Sequence, residues 1–264
     1  CLVGSEMCIR DRDGTIVRCS TPLERFWSGS LTTTVDDSSI AHIVWTRRLV
    51  TGTGVLSETI SYSTVDDQCT STVPQDLMEP LPMNVGDYFG VDIDQHDGLI
   101  VIAGYLRDLS SGSAFEPSES IFTLYGDEPQ SASDWELVVE VIEDIDTMSE
   151  PNVEIEVEIG KDLLHILYTS SRNDTSSEDV LGLWYAHGIL GEDSWTYKRA
   201  IAVEGSSPTM AVDEVDDEDR IAIGWIEGEE DSSILRVVIV DEGFSTINGA
   251  SYSVLARGAN LATI

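Results

Sequence analysis

Asp92, Asp94 and Asp97 crowd three carboxylates into the segment DIDQHDG, immediately ahead of Gly98. Calcium takes several hard oxygen ligands from short acidic loops of this kind. These three side chains are therefore the candidate metal ligands, and calcium the candidate ion. The spacing departs from an EF-hand loop, and a solvated hairpin turn is the preferred reading. A second acidic turn, Asp213, Asp216, Asp217 and Asp219, is spaced differently and repeats no metal motif.

Basic side chains are scarce, 14 against 49 acidic, so their placement carries information. Arg47 (with Arg48 beside it), Arg107 and Arg172 each follow an apolar stretch that ends on an aromatic. If they open equivalent loops, their guanidinium forks could converge on a carboxylate or sulfate ligand. Solvent-exposed loop charges paired with nearby Asp or Glu are the preferred reading, and the fourth such stretch is followed by Glu227, Glu229 and Glu230 instead.

Other chemistry is mostly excluded. His42, His96, His165 and His187 lack zinc spacing, and His42 and His165 are read as satisfied residues packed within strands. No Gly-x-Ser-x-Gly elbow and no glycine-rich phosphate loop occurs. Asn173-Asp-Thr has the form of a glycosylation sequon. With so many acidic groups, carboxylate pairs at glycosidase separation are unavoidable, so no catalytic residue is assigned. A formal net charge of -35 repels phosphate backbones and anionic membrane surfaces. Nucleic acid is therefore not an expected partner, and no apolar run reaches the length of a membrane span.

The elements that must position these residues come from a repeat. Trp45, Tyr105, Tyr168 and Trp225 each end an apolar stretch, at spacings of 60, 63 and 57 residues. Trp135 and Trp195 mark a second landmark 60 residues apart. Alternation such as Ile221, Ile223, Trp225 predicts half-buried strands, and the continuous runs LIVIAGY and LLHILY predict strands covered on both faces. Val138, Val139, Val141 and Ile142 make WELVVEVIE a strand rather than a helix. Units are expected at roughly 31–85, 86–150, 151–206 and 207–258, with the start of a fifth at 259–264.

Small four-stranded sheets repeating at this interval resemble the blades of a β-propeller. MAVDEVDDEDRIAIGW and TTVDDSSIAHIVW resemble the loose blade pattern of sialidase-like extracellular propellers, although the sialidase Asp-box is absent. The expected fold is all-β, a β-propeller of about four blades belonging to a larger ring; a pair of β-sandwiches is the alternative. Residues 1–12, CLVGSEMCIRDR, resemble translated sequencing-adapter read-through and are set aside as an artefact. Cys19 and Cys69 then remain, as one bridge or two buried thiols. The resemblance and the acidity imply an exported or cell-surface protein. The expected function is a non-enzymatic binding or scaffold propeller with a glycan or protein ligand; the alternative is a glycan-active hydrolase of sialidase-like propeller type.

Overall fold

The computed structural model describes residues 2–3, 6–10, 16–20, 30–50, 56–82, 86–108, 118–127, 129, 131–142, 154–170, 182–189, 195–202, 206–215, 218–227, 234–241 and 253–257. The described residues form five antiparallel sheets. Sheet I joins β1 (Leu2–Val3), β2 (Glu6–Arg10) and β3 (Ile16–Ser20). Its first two strands fall on residues that the sequence reading set aside.

Sheet II holds β4 (Leu31–Val35), β5 (Ala41–Val50), β6 (Leu56–Val65), β7 (Gln75–Asp76) and β8 (Leu81–Pro82). Sheet III is β9 (Gly86–His96), β10 (Leu99–Asp108), β11 (Ser118–Asp127) and β12 (Trp135–Ile142). Sheet IV is β13 (Ile155–Ile159), β14 (Leu163–Ser170), β15 (Gly182–Ile189) and β16 (Trp195–Ala202). Sheet V is β17 (Ser206–Val215), β18 (Glu218–Glu227), β19 (Ile234–Asp241) and β20 (Ser253–Arg257). In sheets III to V the strands pair in chain order, as successive hairpins do. The chain divides into two compact units, 1–140 and 141–264.

The repeat holds at the level of register. Trp45 pairs with Leu31 and Ser61, Tyr105 with Phe89 and Ile121, and Tyr168 with Ile155 and Trp184. Trp225 occupies the second strand of sheet V beside a bulge in β17. All four aromatics are buried. Trp135 and Trp195 each begin a fourth strand. Sheet II departs from this scheme. Its outer edge is two short stretches, both on β6, in a segment carrying Pro74, Pro80 and Pro82. Proline has no amide to donate, so such a segment is confined to an edge; Thr59 Oγ1 donates to Met78 O at 2.6 Å and bridges the gap.

Burial follows the predicted patterns. Ile155, Val157 and Ile159 alternate inward along β13, whereas residues 164–169 of β14 and 101–105 of β10 are buried without interruption. Second strands are thus covered on both faces, which is what layered sheets require. In the first unit, Val44, Ile60 and Tyr62 of sheet II pack with Ile93, Ile102 and Phe122 of sheet III. In the second unit, Leu167, Leu183 and Tyr185 of sheet IV pack with Ile221, Ile223 and Trp225 of sheet V. Each fully buried side chain of this kind contributes about 1.5–3 kcal/mol, so these two seams dominate the packing within their units.

Candidate functional site

Each sheet from II to V has two chemically different ends. One carries the turn between its first and second strands; the other carries the start of the first strand beside the end of the second. At that second end, threonines follow two of the aromatics and fix the backbone. Thr46 N donates to Ser30 O at 3.2 Å, and Thr169 N donates to Glu154 O at 3.1 Å. The Glu154 amide in turn donates to Thr169 Oγ1 at 2.9 Å. Ser30 and Glu154 therefore hold equivalent places, and of the two residues Glu154 brings a carboxyl.

Glu154 reaches across the seam between sheets IV and V, where its Oε2 accepts the Ser207 amide. Ser207 has φ of 50°, a left-handed conformation unusual for a residue with a Cβ. The Glu154 side chain is half-buried. Burial raises its pKa above the ordinary carboxylate value, and the Ser207 amide pulls only partly the other way. A carboxyl biased towards its protonated form can hand a proton to a leaving group. Sequence reasoning missed Glu154, because neither its clamp nor its burial has a local motif.

At the turn end, two histidine networks appear. His42 Nδ1 lies 2.7 Å from Tyr62 Oη, and His165 Nδ1 lies 2.6 Å from Tyr185 Oη. The ring pairs are nearly superposable, with centroids 6.0 Å apart in both and interplanar angles of 24° and 25°. Each histidine stands three residues before the buried aromatic and 20 before its tyrosine. His42 Nε2 faces Asp36 Oδ2 at 3.4 Å, and His165 Nε2 faces Asp219 Oδ2 at 3.0 Å. Burial lowers the His42 pKa against the opposing pull of Asp36. Asp219 is also raised by burial, but its hydrogen bonds to His165 and the Lys161 amide, with the charges of both residues, bring it below the usual carboxylate value. The packed role expected of His42 and His165 describes this geometry.

The arginines expected to open loops do not do so where they are described. Arg47 and Arg48 lie inside β5 and Arg107 inside β10, because those strands run to 10 residues. Arg47 pairs with Asp76 at 3.3 Å, and Arg48 with the buried Glu58 at 2.9 Å. Arg107 stands opposite Asp87 and Glu119 in register. Arg172 lies outside the described residues.

The three aspartates are distributed along one hairpin. Asp92 and Asp94 sit in β9, and Asp92 Oδ1 accepts from Thr32 Oγ1 at 2.8 Å. Asp97 and Gly98 form a two-residue turn with φ of 50° and 87°, the conformation that favours an Asp-Gly pair. Asp97 is exposed and lies 3.6 Å from His96 Nε2. Among the described residues, no group of three or more His, Cys, Asp or Glu side chains is gathered to hold a metal ion. Cys69 is disulfide-bonded.

No known family profile matches the chain, and no curated protein matches it in sequence. Solved structures do. An α-L-arabinofuranosidase from Lactobacillus brevis is 11% identical with a TM-score of 0.50, over 84% of this chain and 71% of that enzyme. A family 117 glycoside hydrolase from the marine bacterium Zobellia galactanivorans is 12% identical with a TM-score of 0.50, over 87% and 71%. An α-L-arabinofuranosidase from Fusarium graminearum, in complex with an iminosugar inhibitor, is 13% identical with a TM-score of 0.50, over 85% and 65%. The expectation of a non-enzymatic scaffold is corrected by these matches: these three solved structures, which share the fold, are all glycoside hydrolases. The fold itself is the all-β, β-propeller type that the repeat predicts.

Proposed function

We propose that this chain is the propeller of a glycan-active hydrolase, with a neutral, arabinose-containing glycan as its substrate class. The observation that carries the reading is the shared fold of glycosidases, two of them arabinofuranosidases. Two features of the chain support it. Glycoside hydrolysis needs a carboxylic acid able to protonate the leaving oxygen, and Glu154 is a half-buried carboxyl that accepts the Ser207 amide and whose pKa is raised. A net charge of -35 disfavours polyanionic polysaccharides and leaves neutral ones unhindered. The disulfide at Cys69 supports an oxidising, exported setting. The test is to incubate the protein with p-nitrophenyl α-L-arabinofuranoside, linear arabinan and a panel of other neutral glycosides. Release of nitrophenol or arabinose that is lost in Glu154→Gln is the expected result. A folded protein that cleaves none of them overturns the reading.

A further inference from the structure

The two histidine networks draw their carboxylates from different places. Beside His42 it is Asp36, in the turn of the same sheet, immediately after β4. Gly160 holds the corresponding place in sheet IV, immediately after β13. Both residues donate their backbone amide into the turn, Asp36 to Ile40 O at 3.0 Å and Gly160 to Leu163 O at 2.8 Å. The carboxylate beside His165 comes instead from Asp219, near the start of β18 in sheet V.

Gly160 needs no left-handed backbone, because only Gly90 and Gly98 have positive φ among the described glycines. Its lack of a side chain answers a question of space. A Cβ at Gly160 would overlap the Asp219 carboxylate, coming within 2.6 Å of its Cγ. The carboxylate fills the volume that a side chain at position 160 would need. It is 1% exposed, and its other oxygen accepts the Lys161 amide at 2.9 Å.

We infer that Asp219 is a transplanted latch: it takes the place that Asp36 fills beside His42, and so makes the His165–Tyr185 network complete only when sheet V is docked on sheet IV. In sheet II the polar partners His42, Tyr62 and Asp36 all belong to one sheet. In sheet IV, undocking strands a buried imidazole and an amide without their acceptor, and such orphaned groups are costly. Docking of sheet V is therefore coupled to a polar contact of fixed geometry as well as to the apolar seam. The same seam carries the Glu154–Ser207 contact at its other end.

The experiment relocates the carboxylate in the full chain. Gly160→Asp, Asp219→Gly and the double variant are compared by thermal melting, by proton and nitrogen NMR of the His165 ring, and by exchange of the Lys161 amide. Each single change should lower the melting midpoint, on the order of 5–10 °C. The double variant should melt above Gly160→Asp alone, and its His165 Nε2 should recover the signal of a carboxylate partner. Its Lys161 amide, whose acceptor is Asp219, should remain fast to exchange. Additive losses in the double variant, or a His165 ring signal unmoved by Asp219→Gly, would overturn the latch. Should Asp219→Gly not fold, Asp219→Asn replaces it: an unchanged Lys161 exchange rate together with unchanged His165 signals then counts against the proposal.

Discussion

At the scale of single residues, the two histidines are a geometrically matched pair whose carboxylate partners come from different places. His42 is buried against Tyr62 and Asp36, with Thr34 and Thr64 opposite it in the flanking strands. Its folded-state pKa is lowered, so the unfolded chain binds its proton more readily. Stability from this site is present above the ordinary histidine value near 6.5 and is lost as pH falls below it. Asp219 faces His165 and the Lys161 amide, with His187 and Glu158 opposite His165 and Lys161 paired to Glu214. Its folded pKa is depressed, so its contribution is present above the ordinary carboxylate value and lost as pH falls through the folded one. Denaturant unfolding from pH 8 to pH 3 should therefore show two losses. His42→Gln should flatten the one that begins near 6.5, and Asp219→Asn the more acidic one, at a cost of about 1.5–3 kcal/mol at neutral pH. A single profile shared by both variants and the parent would contradict this assignment. Glu154 belongs to the same scale: on the proposed function, Glu154→Gln should reduce glycoside cleavage by roughly 10²-fold or more, as for loss of a general acid, with the melting point little changed.

At the scale of the strand, the sheets show two solutions to one packing problem. Where sheets II and IV place His42/Tyr62 and His165/Tyr185, sheet III places Ile102/Phe122 in the same register and buries both. Gly104 makes room for the phenyl ring, since a Cβ there would lie 2.7 Å from Phe122 Cζ. Replacing both partners of a buried hydrogen bond by apolar groups of like shape is close to neutral, whereas removing one leaves an orphan. Tyr62→Phe should therefore cost about 1–3 kcal/mol in denaturant unfolding, and His42→Ile with Tyr62→Phe should recover most of it; a double variant worse than the single would refute the equivalence. The aromatics at the ends of second strands were legible in the sequence because period-two alternation and a fixed spacing identify them without any partner. The histidine–tyrosine pairs had a readable sign as well, a separation of 20 residues occurring twice, but its meaning needs the strand register. Arg47 and Arg107 were misplaced because composition locates the centre of a strand better than its end. Asp219 was illegible as a partner of His165, since 54 residues and a sheet boundary separate them.

At the scale of the whole molecule, charge is the largest influence on stability that packing does not decide. Forty-nine acidic against fourteen basic residues give a net charge of -35, and several of the basic groups are already committed to pairs such as Arg47–Asp76 and Arg48–Glu58. Self-repulsion of this size opposes the compact state and weakens as salt shortens the screening length to about 10 Å at 0.1 M. Added sodium chloride should accordingly raise the melting temperature over the range in which that length falls below the spacing of neighbouring turns. A calcium site would add stabilisation set by its own affinity, on top of screening. At the acidic hairpin Asp92 accepts a hydrogen bond from Thr32, Asp97 is exposed at a two-residue turn, and no group of three or more candidate ligands is gathered among the described residues. Melting in calcium chloride and in sodium chloride at equal ionic strength, with magnesium as a third arm, should give equal shifts. A calcium-selective rise that disappears in Asp94→Asn would show instead that the hairpin holds the ion.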